Sequence, residues 1–273
     1  MVLQLDEVAV GAEYLLVHAR RALRLVVITG GQKSVGTTTV AANMATALAE
    51  NGSRVVLTDA NLAHPEIAGV CGIQGTENVA DVLAGRRDIH EVLQRGPAGI
   101  QVVAGTAESP HKFSPVAVHR LIKQLKTLGR HADVVIVDVG TGSAEVARSF
   151  WEAADQVVLV STAEDEAMKA AYATVKQMAM DDIRPTIHLL VNRVDSVGTA
   201  LDVHERMSRC TREHLQIELQ YLGFIPTDRQ VSGRCDSDLP SVVTDLNGPS
   251  AREFRSVTMK MFGNETGPLA NVA

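Results

Sequence analysis

A chain of 273 residues with 45% hydrophobic and 21% charged residues has enough apolar material for a folded core, which excludes a disordered or fibrous protein. Its net charge of −6 argues against a broad electrostatic grip on nucleic acid, so nucleic acid is not expected as a partner. Three widely spaced cysteines, Cys71, Cys210 and Cys235, fit a cytoplasmic thiol protein better than a disulfide scaffold or a zinc site. No apolar run long enough to cross a bilayer and no basic-then-apolar start are present, so neither a membrane span nor a signal peptide is expected.

In chain order, residues 5–23 place Val8, Ala12, Leu15, Leu16, Ala19 and Leu23 at helical spacing, with Arg20, Arg21 and Arg24 at the end. That pattern predicts an amphipathic helical extension over 1–23. A buried strand over 25–29 then runs into Gly31-Gln32-Lys33-Ser34-Val35-Gly36-Thr37-Thr38-Thr39 and a helix over 37–50. Strands follow at 54–58, 100–104, 133–138, 156–161, 187–192 and 219–225. Helices are expected at 78–84, 116–129, 144–154, 164–180, 199–214 and 249–262. Continuous apolar runs such as Val134-Val135-Ile136-Val137 indicate strands buried on both faces, as in a parallel sheet. Regular strand–helix alternation predicts an α/β fold with one doubly wound, mostly parallel sheet and ligands at the strands' carboxyl ends. Residues 24–263 read as a single domain and 264–273 as a flexible tail. The Asn264-Glu265-Thr266 sequon has no consequence in the cytoplasm.

The frame Gly31-x4-Gly36-x-Thr38 has P-loop spacing, with Thr37 where the lysine belongs. Glycines let backbone N–H groups converge on phosphate, and the following helix offers its positive end to the same anion. Thr38 is placed to hold Mg²⁺ through its hydroxyl. The second strand ends in Asp59-Ala60-Asn61 and the 133–138 strand in Asp138-Val139-Gly140-Thr141-Gly142. Aspartates at those strand ends can hold Mg²⁺ directly or through water. Later strands end in Asn192-Arg193 and in Phe224-Ile225-Pro226. An aspartate after a strand is often only a helix N-cap, but four such features in order at successive strand ends favour a nucleotide site.

Together these residues resemble the MinD/ParA family of deviant-Walker P-loop ATPases over nearly the whole chain, most of all its flagellar regulators of the FlhG/YlxH/FleN type. The segments 40–45, 78–85, 101–105, 171–176 and 221–226 extend the likeness. The resemblance implies ATP or ADP with Mg²⁺ as cofactors and a nucleotide-linked homodimer. It also implies a flagellar or pilus assembly protein as partner and weak peripheral contact with the inner face of the cell membrane. It further implies that Asn192, Arg193 and Pro226 surround adenine and that Thr38, Asp59 and Asp138 serve the metal. The family motif K-G-G-V-G-K-T reads here Gln32-Lys33-Ser34-Val35-Gly36-Thr37-Thr38, so both family lysines are replaced. Lys33 sits one position past the first and is a candidate phosphate contact. The family's water-positioning aspartate is Asn61, which can orient water but cannot act as a carboxylate base. Losing one aimed charge stabiliser costs ~2.7–4 kcal/mol of barrier, so hydrolysis is expected to be slow or absent while binding persists. Threonine in place of the P-loop lysine also occurs in the CpaE/TadZ pilus-localisation branch, a second reading.

A third reading is a short-chain dehydrogenase. Thr29 to Gly36 approaches T-G-x3-G-x-G, Asp59 is placed for a ribose, and Tyr172-x3-Lys176 with Ser161 matches a proton-transfer set. Against it, no Asn-Ala-Gly segment follows a middle strand, and Tyr172 and Lys176 also sit one turn apart on an ordinary helix face. A pure interaction module that has lost its nucleotide is a fourth reading. Arg206, Arg209 and Arg212, flanked by Glu205 and Glu213, read as a solvated charged face, and 250–262 as core packing rather than a membrane helix. His64 and His111 read as ordinary surface histidines.

Overall fold

The computed structural model describes residues 22–106, 114–141, 144–228, 240–245 and 247–263. The expected N-terminal helix and the tail lie outside the described residues, as do Gly142, His111 and Cys235. Among the described residues eight strands form one sheet: β1 (Arg24–Gly30), β2 (Val55–Asp59), β3 (Gln94–Arg95), β4 (Gln101–Val103), β5 (Val134–Gly140), β6 (Gln156–Ser161), β7 (Thr186–Asn192) and β8 (Leu219–Ile225). Their spatial order is β3-β4-β2-β5-β1-β6-β7-β8, parallel throughout except for the short edge pair β3–β4. The helices are α1 (Thr37–Glu50), α2 (Ile67–Val70), α3 (Val79–Leu83), α4 (Pro115–Thr127), α5 (Ala144–Ala153), α6 (Asp165–Met180), α7 (Val197–Leu215), α8 (Ser241–Thr244) and α9 (Pro249–Phe262).

Strand residues alternate between two cores, which is why both faces of each run are apolar. Leu25, Val27, Val135, Val137, Val157 and Leu189 face a layer holding Leu121 and Leu125 of α4, Phe150 of α5, Val175 of α6 and Met207 of α7. Val26, Ile28, Leu57, Ile136 and Val158 face the other layer, with Val40 and Met44 of α1 and Phe254 and Val257 of α9. α1 is alanine-rich, so its helix propensity is high and its slim surface lets it lie deep between sheet and α9. It ends at Asn51-Gly52, where Gly52 takes a φ of 83°.

The sequence expectation for α9 as core packing agrees with the structure: Ala251, Phe254, Val257, Met261 and Phe262 are buried. Arg24, expected at the end of an N-terminal helix, instead opens β1, with its guanidinium 4.4 Å above the Phe262 ring. Among the described residues no helix is long and apolar enough to cross a membrane.

The order around β1 positions the site. β1 lies between β5 and β6, with β2 beyond β5 on one side and β7 beyond β6 on the other. The chain therefore leaves β1 in opposite directions across the sheet, opening a crevice at the strands' carboxyl ends. A register shift between Ile28 and Thr29 pairs Ile28 with Asp138 and Thr29 with Gly140, and Thr29 Oγ1 donates to Gly140 O at 3.2 Å.

Candidate nucleotide site

The loop between β1 and α1 is shaped by close approaches on three sides. Gly31 abuts the backbone of α6 at Ala170 and Ala171, where an added Cβ would collide with main-chain atoms. Its glycine character thus serves helix packing. Gly36 takes a φ of 94° at the N-cap of α1 with the Asn192 amide against its Cα, so it needs glycine for backbone geometry and for space. Ser34 also occupies the left-handed region, with φ of 64°. Gly36 has no side chain with which to cap α1, so the first turn of Thr37, Thr38 and Thr39 presents backbone N–H groups to the crevice. Val35 is buried beneath the crest, and Gly30 packs on it.

Thr38 and Asp138 meet at the floor. Thr38 Oγ1 donates to Asp138 Oδ2 at 2.7 Å, and the Gly140 amide donates to Oδ1 at 2.9 Å. Asp138 is fully buried, and that desolvation pushes its carboxyl up to about 6 despite hydrogen bonds from Thr38, Gly140 and Thr37 that pull it down. Asp59 pairs in register with Asp138 and is equally buried. Its Oδ1 accepts from Asn61 N at 3.0 Å and its Oδ2 from Ile67 N at 3.0 Å. Burial first, and the Asp138 charge second, hold its carboxyl well above the ordinary range. Asp59, a candidate for catalysis and for metal ligation, accepts a main-chain amide on each oxygen in this structure and so also fixes the 61–67 turn. Asn61 is buried with its amide against Gly140, where a side chain on residue 140 would displace it.

Three side chains hold the loop crest. Asn192 Nδ2 donates to Val35 O at 2.7 Å, and its Oδ1 accepts from Arg193 N at 3.0 Å. Arg193 Nη1 donates to Ser34 O at 2.8 Å. Expected to surround adenine, both residues here brace the phosphate loop itself. Pro226 follows β8, whose Ile225 pairs with Asn192, and stays partly exposed. On the opposite side Lys33 Nζ lies 2.6 Å from His64 Nε2. From the sequence alone His64 reads as an ordinary surface histidine. No periodicity or spacing could connect it to a lysine 31 positions earlier.

Other candidates resolve into structure. Arg206 pairs with Asp165 at 3.0 Å and with Asp202 at 3.6 Å, the solvated charged face expected. Tyr172 lines a groove between α6 and α7 with Met168, Met207 and Cys210. Ser161 is fully buried and donates to the Thr162 carbonyl at 3.2 Å.

A family model described as "ParA: NUBPL iron-transfer P-loop NTPase" matches residues 21–262. The chain belongs to the ParA family of P-loop NTPases. That membership replaces the dehydrogenase reading of Tyr172 and Lys176. Among curated relatives, the antiactivator FleN of Pseudomonas aeruginosa is 32% identical over 212 residues, 77% of this chain and 75% of FleN. The flagellum site-determining protein YlxH of Helicobacter pylori is 25% identical, covering 74% of this chain and 69% of YlxH. The septum site-determining protein MinD of Bacillus subtilis is 26% identical, covering 89% of this chain and 90% of that protein. Among solved structures, MinD in the MinC:MinD cell division complex of Aquifex aeolicus superposes with a TM-score of 0.72 at 22% identity, covering 91% and 98% of the two chains. MinD from Pyrococcus horikoshii, complexed with Mg-ADP, gives 0.71 at 21%, covering 88% and 96%. These likenesses establish the MinD/ParA fold.

Proposed function

We propose that this chain is a MinD/ParA-type spatial regulator, of the kind that sets flagellum number or placement, and that it holds Mg-ATP or Mg-ADP without rapid hydrolysis. The observation that carries the reading is the Thr38–Asp138 pair at 2.7 Å beside the start of α1, which no side chain caps, with Thr37 where a catalytic ammonium would stand. A hydroxyl and a carboxylate in contact form a hard-oxygen donor set that fits Mg²⁺, and the uncapped helix start fits a phosphate. Magnesium bound by Thr38 and Asp138 would supply neutralisation of phosphate charge. Residues 31–39 would cradle the phosphate chain, with Asn192, Arg193 and Pro226 on the side where the base would lie. Asn61 would orient water without removing its proton.

In this reading bound nucleotide is a conformational and dimerisation cue. The partner would be a flagellar assembly protein, and the protein would work in the cytoplasm with weak contact at the inner membrane face. Identity to FleN and YlxH supports the flagellar assignment, whereas Thr37 is also what a pilus-localisation protein would carry. Deleting the gene in its own cell should change flagellum number or placement, and an Asp138→Asn copy should fail to restore it. Unaltered flagella would refute the flagellar half, and displaced pili in their place would favour the pilus reading.

A further inference from the structure

Two of the four positions between the missing lysines, both glycine in the family motif, carry Lys33 and Ser34 in this chain. Both are held from outside the loop: Ser34 through its carbonyl by Arg193, and Lys33 through its ammonium by His64. An ammonium has no lone pair, so Lys33 donates and His64 Nε2 accepts, which leaves the imidazole proton on Nδ1. His64 stands on a braced turn. Its own N–H donates to Asn61 O at 3.1 Å, and Asn61 N donates to the buried Asp59 carboxylate. The histidine is therefore mounted on the same fixed turn that ends β2, while Lys33 rises from the loop after β1.

The contact spans the loop side opposite Asn192 and Arg193, so the crest is gripped from both flanks. His64 accepts a hydrogen bond from one of the three ammonium N–H groups, and Lys33 is exposed, so two donors can still face an anion arriving over the crest. A lysine alone on a loop tip would sample many rotamers, and a fixed acceptor 2.6 Å away selects one of them.

We propose that Lys33, oriented by His64, is the cation that contacts the phosphate tail of a nucleoside di- or triphosphate, in place of the lysines absent at positions 32 and 37, with His64 as its positioning residue. The proposal rests on the nucleotide-binding reading above. It makes the loop's lost charge a relocation.

The test is calorimetric titration of the full chain with ATP and with ADP in Mg²⁺, comparing wild type, Lys33→Met, His64→Ala, His64→Gln and the Lys33→Met/His64→Ala pair. Lys33→Gln serves as a second charge-removing variant should Lys33→Met fold poorly by circular dichroism. Losing a charge-assisted phosphate contact should weaken ATP binding about tenfold or more, and the gap from wild type should shrink as salt rises. His64→Ala should weaken binding by about threefold, His64→Gln should retain most of the affinity by keeping an acceptor, and His64→Ala should add nothing once Lys33 is Met. Wild type that binds while the Lys33 variants bind within about twofold of it overturns this proposal alone. Equal losses from His64→Ala with and without Lys33 overturn the positioning role. Wild type that binds neither nucleotide overturns the nucleotide reading and this proposal with it.

Discussion

Replacing Asp138 by Asn should stabilise the nucleotide-free protein at pH 7 while removing its response to magnesium. Folding moves the Asp138 carboxyl from 3.8 to about 6 because the group is fully buried. At about 1.4 kcal/mol per pKa unit, keeping it ionised at pH 7 costs about 3 kcal/mol of folding stability. The sign follows from proton binding. The folded state holds the proton more tightly, so stability is greatest below about pH 4 on account of this group and falls as pH rises through about 6. Asparagine removes the charge and keeps the shape. Its oxygen can accept from Gly140 N, and its amide can donate to Thr38 Oγ1 once that hydroxyl turns, preserving both contacts seen at 2.9 and 2.7 Å. Imperfect exchange of donors would absorb part of the gain, so a net rise of about 1–2 kcal/mol, or roughly 4 °C in Tm, is expected. The assay is thermal and urea unfolding of both proteins from pH 4.5 to 8, read as their difference. Asp59 titrates in the same sense and buried His188 in the opposite one; the difference cancels His188 and leaves Asp138 together with the part of the Asp59 shift that the Asp138 charge causes, which has the same sign. A variant less stable than wild type at pH 7, or a difference that does not grow with pH, would refute the reasoning.

Thr37→Lys combined with Asn61→Asp should raise phosphate release by about 10²-fold or more, since each restores a charge aimed at the reaction; no increase would mean the scaffold is unsuited to hydrolysis. Gly31→Ala places a Cβ on the α6 backbone at Ala170–Ala171 and should cost about 2 kcal/mol or more of stability, measured by urea unfolding; an unchanged midpoint would contradict that packing. Phe254→Ala empties a core position that is 1% exposed between α9 and α1 and should cost about 3–5 kcal/mol, lowering Tm by roughly 10 °C in a calorimetric scan.

The elements that sequence reasoning found are those with a strong local signal. Val134 to Val137 is apolar at every position because two cores claim alternate residues, and α1 is announced by Gly36 and an alanine-rich run. The elements it missed have no such signal. β3 is only Gln94 and Arg95, held by pairing with Val102 and Gln101. α2 is one turn fixed by the bond from Ile67 N to Asp59. Strand order is equally invisible locally, since β1 meets β5 and β6 more than 100 residues away. Within the site, Thr38 and Asp138 were legible because strand ends and loop spacing place them. The bracing of Val35 and Ser34 by Asn192 and Arg193, and the Lys33–His64 contact, depend on side-chain reach across the crevice. That reach is set by tertiary packing, which no motif encodes.

The most direct check on the account is to incubate the purified chain with Mg-ATP for an hour, pass it through a desalting column and identify the nucleotide that travels with it. Intact ATP, retained in magnesium and lost in EDTA, is the predicted result. A column fraction carrying ADP, or no nucleotide at all, would contradict a loop built to hold a triphosphate without cleaving it.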